Sequence, residues 1–147
     1  MILLDTNVVS SLMGGTETHS VLRWLDTVDD IVEISVLVEH EIRFGIERLR
    51  DEGQRNRLTL LFNRVLNDFF GGTAFPVDHR GAQLGAELRA KRHHIDGKDI
   101  GPVDSILAAQ TIQYSHTLLA TRNVKDFEHL DARLINPWDT NTWDIKA

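Results

Sequence analysis

Short apolar runs alternate along this chain with longer stretches whose apolar residues recur at helical spacing. Ile2 to Leu4 is predicted to be a buried strand, stopped by Asp5, Thr6 and Asn7. Val21, Leu22, Leu25 and Val28 form a helical stripe, and Val32 to Ser35 is a second strand. Ser35 is placed to cap a helix reaching Arg50, with Val38, Ile42, Gly45, Ile46 and Leu49 on one face. Gly53 is expected to interrupt before helical spacing resumes from Leu58 to Phe70, ending at Gly71-Gly72. Thr73 to Val77 reads as a third strand, followed by a helix through about Lys91. The polar stretch from Arg92 to Gly101, with His93 and His94, reads as a surface loop, and Pro102 opens the next helix. Thr117 to Thr121 is a strand, Phe127 marks a short helix, and Ala132 to Ile135 is the last strand.

Apolar strands alternating with helices imply an α/β fold, with a central parallel sheet of four to five strands covered on both faces. No repeat, low-complexity run or linker divides residues 1–147, so one domain is expected, with 139–147 a loose tail. The absence of cysteine excludes disulfides, cysteine-based zinc sites and thiol catalysis. No apolar run approaches the roughly 20 residues that cross a bilayer, and the opening run is too short for a signal peptide, so no membrane role and a cytoplasmic location are expected. The net charge of −6 argues against a simple DNA-binding module. It is compatible with a nuclease whose acids are neutralised by divalent cations.

The acids fall where that chemistry needs them. Ligands of open parallel sheets bind beyond the carboxyl ends of the strands. Asp5 ends the first strand, Glu41 lies on the helix leaving the second, and Asn123 and Asp126 follow the Thr117–Thr121 strand. Asp104 stands in the first turn of the Pro102 helix, on one face with Ala108 and Thr111. Taken singly, each has an ordinary alternative. Asp5 can cap a turn, Asp104 can be a first-turn acid, Glu41 can pair with Arg43 or Arg48, and Asn123 and Asp126 can start a helix. Gathered at one edge, carboxylates repel one another unless a cation joins them. Oxygen ligands without cysteine or organised histidine suit Mg²⁺ or Mn²⁺, and phosphodiester hydrolysis uses such ions.

Four stretches carry a family resemblance: Met1-Ile-Leu-Leu-Asp5-Thr6-Asn7, the run from Ile34 through Glu41 to Gly45, Ile100-Gly-Pro-Val-Asp104-Ser, and Leu118-Leu-Ala-Thr121-Arg122-Asn123-Val-Lys-Asp126-Phe127. In order and spacing they resemble the motifs of PIN-domain proteins. The ending Leu134-Ile-Asn-Pro-Trp138 is similar to the plasmid-stability branch that includes VapC and FitB-like toxins. The resemblance implies a three-layer α/β/α PIN fold and a Mg²⁺-dependent endoribonuclease, the toxin of a type II toxin–antitoxin system. It implies a cognate VapB- or FitA-like antitoxin, promoter DNA reached only through that antitoxin, and a homodimer or hetero-oligomer. RNA is the implied substrate, with transfer RNA a candidate by analogy. The implied metal ligands are Asp5, Glu41, Asp104 and, more weakly or through water, Asp126, with Asn123 assisting where many relatives carry Asp. Thr6, Asn7 and Thr121 are implied supports. The implied chemistry is in-line attack by water, leaving a 5′-phosphate and a 3′-hydroxyl.

RNA also needs positive groups around the acids. Arg122, Arg43 and Arg48 lie within the motif segments, while Lys91, Arg92 and Lys98 flank the loop before Asp104. Other classes fit less well. A catalytically degenerate PIN scaffold has only Asn123 in its favour. A haloacid-type phosphatase wants an acid where Asn7 stands, a receiver domain wants paired acids and a late lysine, and a Rossmann binder wants a glycine-rich loop after the first strand.

Overall fold

In the computed structural model, which describes residues 1–143, a four-stranded parallel sheet is flanked by six α-helices. The strands β1 (Ile2–Leu4), β2 (Val32–Ile34), β3 (Leu118–Ala120) and β4 (Leu134–Ile135) lie in the order β2-β1-β3-β4. Every pairing is parallel, with Leu4 opposite both Ile34 and Ala120. β1 and β3 are buried along their whole length, as strands covered on both faces must be.

The sheet grows from β1 to β2 on one side and then resumes at β3 on the other. The carboxyl ends of β1 and β3 therefore flank the switch point at which such sheets open a crevice. The ladder continues to the residue that matters there: Asp5 N donates to the Ala120 carbonyl at 2.9 Å.

The helices are α1 (Thr6–Leu12), α2 (Thr18–Leu25), α3 (Val36–Glu47), α4 (Glu52–Phe70), α5 (His79–Asp96) and α6 (Gly101–Gln113). α1 follows β1 directly where the sequence suggested a turn. Asp5 is its N-cap, and Val8 and Val9 carry its buried face. α2 begins earlier than its apolar stripe and turns Val21 and Trp24 inward, so the indole, absent from that stripe, is a fully buried part of the core. Ser35 caps α3 as expected, its hydroxyl accepting from Leu37 N.

Gly53 does not break α4. It sits in the first turn, where Asp51 caps Gln54 N, and Gly71 ends the helix in the left-handed conformation. Thr73 to Val77 does not form a sheet strand: only Phe75 bridges to the edge of β2, and Pro76 next to it has no N–H to extend a ladder. α5 runs on to Asp96 and ends at Gly97, so Arg92, His93 and His94 are helical rather than in a loop. Asp78 caps that helix through Gly81 N.

The C-terminal segment packs more than expected. Pro137 is buried, Trp138 and Trp143 lie against the core, and a 3₁₀ turn covers Thr140–Thr142. The part of the expected loose tail at 144–147 lies outside the described residues.

α6 is the helix that carries Asp104 inward. Ser105, Leu107, Ala108, Ala109, Gln110 and Thr111 are all buried, so it is enclosed on most sides. It crosses α5 at Gly85, where an added Cβ would stand 2.7 Å from Ile106 Cγ1 and 3.1 Å from Ile106 Cα. The second contact is backbone, so no rotamer change relieves it. Gly85→Ala is expected to force the helices apart and lower stability by about 1–3 kcal/mol, read as a lower urea midpoint at unchanged slope.

Candidate active site

Asp5 is buried at 6% exposure and surrounded by donors. Its Oδ1 accepts from Thr6 N at 2.7 Å. Its Oδ2 accepts from the Thr121 hydroxyl at 2.7 Å and from Asn7 Nδ2 at 2.8 Å. Burial pushes the carboxyl above its ordinary value, with the Glu41 charge adding to the effect, while the bonds from Thr121, Thr6 and Asn7 oppose it.

Thr121 serves several neighbours. It lies past the end of β3, donates to Asp5, and accepts from Asn123 N at 3.0 Å and from Asn7 Nδ2 at 3.3 Å. Asn7 closes the other side by accepting from Arg122 N at 3.1 Å. Thr6 turns the opposite way, its hydroxyl donating to Glu41 Oε2. Glu41 thus projects from α3 toward the end of β1. Its sequence neighbour His40 is exposed and stacks on Phe44.

Asp104 completes the cluster from the first turn of α6. Burial first, and then the charges of Asp5, Glu41 and Asp126, push its carboxyl up to about 7. The acids expected from the sequence therefore act on one carboxyl together. Asn123 reaches the same place only through its backbone, as the N-cap of the 3₁₀ turn Val124–Phe127 that bears Asp126. Among the described residues no group of three or more His, Asp or Glu side chains is placed so that it could hold a metal ion as it stands.

Clefts open on both sides of this centre. One of about 610 Å³ holds Asp104 and Asp126 together with Arg92, Lys98 and Lys125. The other, about 370 Å³, is lined by Asn7, Ser10, Ser11, the Gly14-Gly15 turn and Arg122. Arg122 pairs with Glu17 and lies 4.0 Å from the Trp138 ring centre. Arg43 is turned away from the acids: it bonds Glu39 at 2.8 Å and lies over Phe62 of α4. Arg48 is the exposed C-cap of α3. Lys125 escaped the sequence reading although it stands between Asn123 and Asp126.

A parallel α/β protein with carboxylates gathered at the switch point of its sheet is the class that fold and site define. The chain belongs to the PIN domain family, whose model matches residues 2–133. It is 34% identical to Toxin FitB of Neisseria gonorrhoeae, over 94% of this chain and 99% of that protein. It is 32% identical to VapC ribonuclease Y4jK of Sinorhizobium fredii, over 95% of this chain and 99% of that one. The crystal structure of FitAcB from Neisseria gonorrhoeae superposes with a TM-score of 0.78 at 32% identity, covering 94% of this chain and 99% of that chain.

A carboxyl raised in the folded state binds its proton more tightly there than in the unfolded chain. Its contribution is then complete below the unfolded value near 4 and is lost as pH rises toward 7. Asp104→Asn removes that loss. In metal-free buffer the variant is expected to unfold later than the parent at pH 8, by of the order of 2 kcal/mol, with the gap closing near pH 4. Thermal melts across that range check it.

Proposed function

We propose that the chain is the toxin of a VapBC-like type II toxin–antitoxin pair and acts as a metal-dependent endoribonuclease. The observation that carries this reading is the gathering of acids at the carboxyl ends of β1 and β3: Asp104 and Asp126 line one cleft, and Thr6, next to the buried Asp5, bonds Glu41. The names of the toxin and ribonuclease relatives support it.

The donor chemistry fits Mg²⁺ or Mn²⁺. The groups are carboxylate oxygens, and the charges of Asp5, Glu41 and Asp126 all act to raise Asp104, so the centre is strongly negative. Mg²⁺ keeps several of its waters and needs only one or two carboxylates, so it does not require three side chains already placed around it. Asp5 and Asp104 would hold the ion, with Glu41 and Asp126 bonding it or its waters. When bound, it would supply an activated water and neutralise charge on the phosphate.

The protein's own groups prepare the rest. Thr121 and Asn7 donate to Asp5 Oδ2 and fix the plane of the carboxylate. Thr6 holds Glu41 ready on the opposite side. Lys98 and Lys125 in one cleft and Arg122 in the other offer positive charge to a phosphate backbone passing the acids. Transfer RNA is one candidate substrate.

We read residues 1–147 as one PIN domain that works in the cytoplasm. No helix among the described residues is long and apolar enough to cross a membrane. A cognate antitoxin would inhibit it and carry any contact with promoter DNA, and homodimers would form the toxin part of the assembly.

The test is cleavage of total RNA by purified, antitoxin-free protein with Mg²⁺, with EDTA, and with Asp5→Asn or Asp104→Asn. Cuts are expected with Mg²⁺ only, and each substitution should slow them at least about 100-fold, as for loss of a main transition-state contact. Metal-independent cutting, or full activity in both variants, would refute the reading. Folded protein that never cuts RNA would favour a PIN scaffold without catalysis.

A further inference from the structure

Arg92 is a cation at 2% exposure, a costly placement unless every donor is used. Its Nε donates to Asp96 Oδ2 at 2.7 Å, one turn along α5. Its Nη1 donates to the carbonyls of Asp126 at 3.2 Å and Glu128 at 2.5 Å. These carbonyls belong to the turn that carries the fourth acid. That turn is otherwise exposed, with Phe127 its buried anchor. Asp126 and Asp104 face the same cleft.

We propose that Arg92 is a positioning residue for Asp126: its guanidinium grips the main chain on either side of Phe127 and so aims the Asp126 carboxylate at Asp104. The inference rests on the proposed metal-bound site, which it deepens. The backbone of a short exposed 3₁₀ turn has several conformations open to it, and rotation there would swing a side chain that nothing else packs. Nη1 bonded to the carbonyls on either side of Phe127, with Nε of the same rigid plane held by Asp96, removes that freedom, and a lysine ammonium, a single point donor, cannot be fixed from both ends in this way. Carboxylate Asp96 keeps the fork in plane from its far side. In this arrangement Arg92 adds no contact to RNA, although its place beside the Asp104 loop suggested one.

The test uses Mn²⁺ alone, titrated into the metal-free protein and followed by the paramagnetic resonance of the free ion, so no RNA or turnover enters. Asp126→Asn and Arg92→Lys should each weaken Mn²⁺ binding about tenfold, as loss of groups that orient a ligand does. The double variant should be no weaker than either single one. Asp96→Ala leaves the guanidinium in place, freeing its Nε and the Lys98 N–H, and should weaken Mn²⁺ binding by a smaller factor that vanishes in the Asp126→Asn background. This arm keeps the test sound if Arg92→Lys unfolds. Losses that add in the double variants, or an Arg92→Lys protein that is folded and binds Mn²⁺ normally, would overturn the role. Unchanged Mn²⁺ binding in Asp126→Asn would remove Asp126 from the ligands, and the inference with it, while leaving the RNA cleavage test to judge the nuclease separately.

Discussion

The hydrogen bond from the Thr121 hydroxyl to Asp5 Oδ2 crosses the gap between β1 and β3, where the sheet changes its direction of growth. Asp5 is buried, and a buried carboxylate without donors would protonate or destabilise the fold. Its donors come from β3's end, from the first turn of α1 and from Asn7, so the acid, the strand pair and the helix cap settle together. The other groups take their places from this joint. Asn123 is held by the same hydroxyl, Arg122 by Asn7, and Glu41 by the residue next to Asp5.

Around that joint the charges are sorted by depth. Acids occupy the centre, where burial and mutual repulsion hold Asp104 at about 7. Lys98, Lys125 and Arg122 stand at the margins, with Arg122 already paired with Glu17. A chain with net charge −6 can thus present positive groups to a polyanion without a basic surface overall. The centre remains short of positive charge, which is what makes a divalent cation the natural completion of the proposed site.

Much of this was legible before any coordinates. The positions of β1 to β4, the Ser35 cap and the helix opened by Pro102 follow from local patterns, and the acids are found at the strand ends and helix starts to which those patterns assign them. Elements were missed where local signals pointed both ways. Asp-Thr-Asn suits a turn and a helix start equally, so α1 was hidden. Polar residues suggested a loop from Arg92 onward, but a helix end on the surface is polar too. Thr73 to Val77 has strand composition, yet only Phe75 finds a partner because Pro76 offers no donor. Trp24 lay off the apparent stripe because the helix face that is buried depends on what it packs against.

The sequence by itself determined most of the elements, their order and the acids at strand ends and helix starts, since capping, periodicity and side-chain chemistry act over a few residues. Tertiary structure decided which charged groups meet. Arg43 and Arg122 sit in motif segments alike, but the first turns its guanidinium over Phe62 of α4 and the second stands beside the acids. Arg92 looks like a surface cation and is buried against main-chain carbonyls more than thirty positions away. Such pairings depend on how helices cross and where the sheet reverses, and no window of local sequence contains that distance.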